Sequence, residues 1–164
     1  MRLQRNFTRH VVVAVMIVLL MAPALLGGEK KPAKPTSKDK CPVCGMFVAK
    51  YPDFAAQIIF KDGSIAFFDG TKDMFKYYFN LPKYNPGQKE TDIDSIYVTD
   101  YYSLTPVDGR KASYVHGSDV YGPMGKELIP FEKVGEAKEF MKDHKGKSVL
   151  RFQDITVSVI KGLN

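Results

Sequence analysis

Two stretches decide how this chain is read: IAFFDGTKDMFKYYF (65–79) and LIPFEKVGEAKEFMKDH (128–144). In each, an apolar segment ends in phenylalanine (Phe68, Phe131), an acidic residue follows (Asp69, Glu132), and a segment of helical periodicity begins. Met74, Phe75, Tyr78 and Phe79 fall at i, i+1, i+4 and i+5 and form one apolar stripe; Val134, Ala137, Phe140 and Met141 form the second. Asp69 suits a helix N-cap, and Leu81-Pro82 ends the first helix.

Working outward, AAQIIF (55–60) and SIAFF (64–68) flank Lys61-Asp62-Gly63, the signature of a hairpin. DSIYVTDY (94–101) is rich in β-branched and aromatic residues and reads as the strand that follows the first helix. KASYVHG (111–117), KELIPF (126–131) and SVLRF (148–152) supply the matching strands of the second half. The expected fold class is therefore α+β, two similar β-β-α-β units packed together, spanning 41–104 and 105–164 with their joint near Leu104 to Arg110. The tail DITVSVIKGLN (154–164) reads either as a short capped helix or as an extra strand. Neither unit alone is large enough to bury a generous core, so the halves are expected to pack on each other, and such an interface is a usual place for a site.

The N-terminal end has a different character. Arg2, Arg5 and Arg9 precede an unbroken apolar run from Val11 to Ala22, and Ala22-Pro23-Ala24 offers small residues at signal-peptidase spacing. The expectation is an exported, periplasmic protein with a signal peptide over 1–24 cleaved after Ala24. Pro23 interrupts the run and leaves it short of a membrane span, although an uncleaved leader would tether the protein to the membrane. No cysteine closely follows the run to take a lipid. Removing the leader takes the formal charge from +6 to about +3. Residues 25–40, which include GGEKKPAKPTSKDK, read as a flexible Lys- and Pro-rich linker. Nucleic acid is not an expected partner, because an exported chain meets no genome and shows no base-reading module.

The chemistry concentrates in CPVCGM (41–46), which contains both cysteines. A bridge between Cys41 and Cys44 closes so small a loop that it stabilises little. A thioredoxin-like pair needs a helix opening at the cysteines, whereas Gly45 and Pro52 deny one here. One Cys-Pro-x-Cys-Gly knuckle resembles half a zinc site, but a second knuckle is missing; His116 and His144 are the remaining nitrogen donors, and His144 reads more simply as a cation at a helix C-terminus. Monovalent copper fits more of the chain. It is soft and takes thiolate and thioether sulfur at low coordination number. Cys44-Gly45-Met46 places both donor types two residues apart, and VHGSDVYGPMGKE (115–127) holds Met124 in a Gly-rich turn without apolar periodicity. Met74 and Met141 instead lie on helical stripes and read as core. His116 reads equally as a ligand or a hydrogen-bonded structural histidine, and Met46 equally as a ligand or the first core residue of a strand. A thiol-disulfide oxidoreductase using Cys41 and Cys44, and a structural zinc module, stay open as alternatives. No Ser, His and Asp set of a hydrolase declares itself.

CPVCGM, KDGSIAFFDGTKDMFKYY (61–78), YVHGSDVYGPMG (114–125) and LIPF (128–131), behind an export signal, together resemble the NosL family of nitrous oxide reductase accessory proteins, over about Lys40 to Phe152. The resemblance implies two similar β-β-α-β units, a fold shared with organomercurial lyase, and a non-enzymatic role in delivering Cu(I) to the copper-sulfide centre of nitrous oxide reductase. It further implies that the partners are this reductase or its assembly machinery, together with copper donor proteins. Residue by residue, the family's C-x-M falls on Cys44 and Met46, and its loop methionine on Met124. The chain departs from the pattern in lacking the lipidated cysteine of many members and in carrying the extra Cys41, which would add a ligand, tighten the site or form a protective disulfide. Lyase chemistry would call for a cysteine-and-acid constellation, and the sequence displays none.

Overall fold

The computed structural model describes residues 30–163; the expected signal peptide over 1–24 and the start of the linker lie outside the described residues. The elements follow in the order β1 (Ala56–Phe60), β2 (Ile65–Phe68), α1 (Thr71–Tyr78), α2 (Leu81–Tyr84), β3 (Ile93–Thr99), β4 (Pro106–Asp108), β5 (Ser113–Gly122), β6 (Gly125–Phe131), α3 (Val134–Asp143), β7 (Ser148–Arg151) and α4 (Val157–Lys161). The chain forms two antiparallel sheets, ordered β2-β1-β3-β4 and β6-β5-β7. The first strand of each unit lies between the second and third in both, so the repeated β-β-α-β pattern is a repeated topology.

The helices are placed unequally. Val115 and Ile129 turn to one face of the second sheet and pack with Phe131, Ala137 and Phe140 under α3. Their neighbours Tyr114 and Leu128 turn to the opposite face, as strand alternation requires, and join Ile58, Phe60, Met74 and Phe75 in the main core. α1 is thus held between the sheets, with the Phe75 ring 5.5 Å from that of Tyr114. That position brings the start of α1 against β6.

Several expectations are corrected. β4 pairs with β3, so residues 106–108 belong to the first sheet and the joint falls later, at Gly109–Ala112. β5 runs five residues beyond the expected end, through Gly117 to Gly122, because pairing with β6 resumes at Tyr121↔Lys126 after a register irregularity. Pro82 lies in a new short helix, α2, where the first turn tolerates it. The tail is helical, and Thr156 caps it by accepting from Val159 N at 3.3 Å.

The linker is not free over its described part. Ala33 N donates to Gln57 Oε1 and Gln57 Nε2 donates to Ala33 O, both at 2.9 Å. Lys30 Nζ donates to Phe60 O, and the Lys30 carbonyl accepts from Ser95 Oγ and Tyr97 OH. These polar side chains stand on the sheet face away from α1, and the strap satisfies them. Among the described residues no helix is long and apolar enough to cross a membrane.

Candidate metal centre

CPVCGM folds into a closed loop. Lys40 bridges Phe47, Cys41 N donates to Met46 O at 2.9 Å, and Gly45 N donates to Cys41 O at 2.9 Å. Gly45 makes the turn with φ +80°, a left-handed conformation that a side chain disfavours. The N–H groups of Cys44 and Val43 point at the Cys41 sulfur, and that of Met46 points at the Cys44 sulfur. Both cysteines are free thiols, Cys41 buried and Cys44 half-buried.

The loop is seated over the first turn of α1. Cys44 Sγ donates to Asp69 Oδ1 at 3.1 Å, and Cys41 Sγ donates to Asp73 Oδ2 at 3.7 Å. One donor atom from each of Cys41, Cys44, Asp69 and Asp73 lies within 4.8 Å of the others. A cysteine-and-acid constellation is therefore present after all. Asp69 and Asp73 escape a sequence reading because 25 or more residues separate them from the cysteines they meet. Their i, i+4 spacing, which sets both on one side of the helix start, is the one signal that points to them.

Asp69 is not the helix cap that its position suggests. The N-cap is Gly70, in extended conformation and without a side-chain cap. The N–H of Lys72 is instead satisfied by Glu127 of β6, whose Oε1 accepts it at 2.5 Å and also accepts from Thr71 Oγ1 at 2.9 Å. Burial is the main force on the thiols. It pushes the Cys41 pKa up to about 11, with the Asp69 carboxyl adding to the rise, and pushes that of Cys44 higher still.

Across 129 residues, 32–160, the chain matches the family model NosL. The chain belongs to the NosL family. It is 27% identical to the copper-binding lipoprotein NosL of Stutzerimonas stutzeri, over 95% of this chain and 86% of that one. It is also similar to the crystal structure of the copper chaperone NosL from Shewanella denitrificans, with TM-score 0.65, 27% identity, and coverage of 80% of this chain and 98% of the other. The solution structure of apo-NosL from Achromobacter cycloclastes is matched at TM-score 0.45 and 31% identity, over 64% of this chain and 87% of that one.

The remaining sequence-derived candidates of this NosL-family chain are distributed unevenly. Met46 is half-buried at the close of the loop. Pro123 and Met124 form the two-residue turn between β5 and β6, and Met124 is 46% exposed. Lys72, beside Asp73 in the first turn of α1, donates from Nζ to Met124 O at 2.6 Å. The hairpin tip and the cysteine loop therefore meet at one helix end. His116 stands apart from the cysteine and carboxyl group, in β5 between Leu128 and Ser148, where burial and then Lys147 lower its pKa. His144 stacks on Phe140 and pairs with Asp119 at 3.2 Å, as a helix-end residue would.

Proposed function

We propose that this protein is an exported, periplasmic chaperone for Cu(I), and that it delivers copper to the copper-sulfide centre of nitrous oxide reductase or to that enzyme's assembly machinery. The observation carrying this reading is that the cysteine loop, through Cys44 and Asp69, and the Met124 hairpin, through its carbonyl and Lys72, both reach the start of α1. Thiolate and thioether sulfur suit monovalent copper. The exposure of Met124 suits transfer, since an incoming ligand can add before a departing one leaves. The names of the Stutzerimonas and Shewanella relatives support copper as the cargo. The raised thiol pKa values weigh against a disulfide-exchange enzyme, which needs thiolate at neutral pH.

An anaerobic Cu(I) titration against a competing chelator tests the site. Cys44→Ser and Met124→Leu should each weaken binding, Cys44→Ser the more. Unchanged affinity in both variants would remove the site. The client is tested separately: the copper content of nitrous oxide reductase from cells lacking this protein should fall, and should recover with the wild-type chain but not with Cys44→Ser.

A further inference from the structure

Lys72 is only 3% exposed, whereas a lysine ordinarily buries its stem and keeps its ammonium in water. The usual partner of a buried lysine is a carboxylate, and carboxyl groups are at hand. Asp73 follows Lys72 in sequence but pairs with Lys76 at 3.2 Å, and Glu127 accepts the Lys72 backbone N–H at 2.5 Å. The Lys72 ammonium instead donates to a neutral acceptor, the carbonyl of Met124, at 2.6 Å. Burying a cation is costly unless it is bonded, so this bond fixes the lysine and the turn together.

The turn does not need that bond in order to form, because Gly122 already pairs with Gly125 across it. Nor is the bond needed to dock β6 on α1. Glu127 does that, accepting from Thr71 Oγ1 and Lys72 N. What Lys72 adds is a hold on the hairpin tip itself. The hold is on the backbone of Met124, so the side chain stays 46% exposed and free to bond elsewhere. The same helix start receives the cysteine loop through Cys44 Sγ and Asp69 Oδ1 at 3.1 Å. A tip tied there presents its side chain from a fixed point, whereas a loose tip would have to be ordered at each binding event.

We propose that Lys72 is a positioning residue for copper: its ammonium holds the Met124 carbonyl, and so keeps the thioether within reach of the cysteine loop before the metal arrives. The proposal rests on Met124 as a copper ligand.

Lys72→Leu is the test, since leucine keeps an apolar helix-forming side chain but brings no donor to the carbonyl and no sulfur to the metal. In anaerobic Cu(I) titrations against a chelator, this variant should bind about three- to tenfold more weakly than wild type. Combined with Met124→Leu, the loss should vanish, so that the double variant binds like Met124→Leu alone. In the metal-free wild type, the amides of Met124 and Gly125 should show core-like 15N order parameters of about 0.85, falling below about 0.6 in Lys72→Leu. Unchanged affinity in Lys72→Leu, an equal loss with and without Met124, or a tip already mobile in the wild type would overturn the proposal. Should Lys72→Leu not fold, Lys72→Gln takes its place, with a polar end too short to reach the carbonyl. If Met124→Leu weakens Cu(I) binding and the Lys72 variant does not, the positioning role alone falls; if Met124→Leu leaves affinity intact, Met124 is no ligand and this role falls with it.

Discussion

At the proposed copper site, metal uptake would begin with protonated sulfur. Burial holds the Cys41 pKa near about 11 and that of Cys44 above it, so both thiols carry their protons at neutral pH. A metal must displace those it replaces, and affinity therefore rises with pH by about tenfold per unit for each proton released. Cu(I) titrations across pH 6 to 8 should show this slope for the wild type. Cys41→Ser should keep it if Cys44 alone binds copper, and a flat profile in the wild type would mean that the copper ligands are not these thiols. The residues of the proposed sulfur site stand out in the sequence because their context is odd: Met124 sits in a Gly-Pro-Met-Gly turn with no apolar period to explain it. Asp69 was legible only as a helix cap. Its short side chain before Gly-Thr fits that role, and a sequence does not show that Cys44 takes the carboxyl while Glu127 takes the helix N–H.

At the scale of elements, the tie between β6 and α1 decides where Met124 goes. Glu127 reaches from β6 to the start of α1, and a Cβ at Gly70 would lie 2.2 Å from its Oε2, so glycine is required there. Burial pushes the Glu127 pKa up to about 7 from an ordinary 4.5, against the opposing pull of the Leu128 and Lys72 N–H groups, the Thr71 hydroxyl and the Lys72 charge. The folded chain therefore keeps a proton that the unfolded chain gives up above about pH 4.5. Its contribution to stability falls as pH rises from about 4.5 to about 7 and is level above that, by about 3 kcal/mol in all. His116, with its lowered pKa, works in the opposite direction below about pH 6.5. The difference between wild type and Glu127→Gln isolates the carboxyl: urea midpoints should converge or cross as pH falls toward 5 and separate toward 7, with the variant the less pH-dependent on subtraction. Parallel midpoints would show that Glu127 does not titrate in this window. Most strands and both long helices were legible from alternation and stripe, to within a residue or two. The far half of β5 was not, because Gly117-Ser118-Asp119 reads as loop and only pairing with β6 makes it strand.

Over the whole molecule, the repeat was legible and its consequence was not. Matching strand orders in the two sheets confirm the duplicated pattern, yet the two helices have different surroundings. α3 covers one face of its own sheet, whereas α1 packs against both sheets, so the main core draws on Ile58 and Phe60 from the first unit and Tyr114 and Leu128 from the second. Periodicity identifies an apolar face without naming what covers it. For the same reason the Lys- and Pro-rich strap looks flexible in the sequence, since its bonds to Gln57, Ser95 and Tyr97 are long-range. A core shared in this way should melt once. Leu128→Ala removes a fully buried side chain beneath α1 and should cost about 2 to 5 kcal/mol. That loss should move a single urea transition, seen at the same midpoint by far-UV and near-UV circular dichroism, although the mutated strand belongs to the second unit. Separation of the two signals into distinct transitions would mean that the units fold independently. The start of α1 would then no longer be a fixed meeting point for the cysteine loop and the Met124 hairpin.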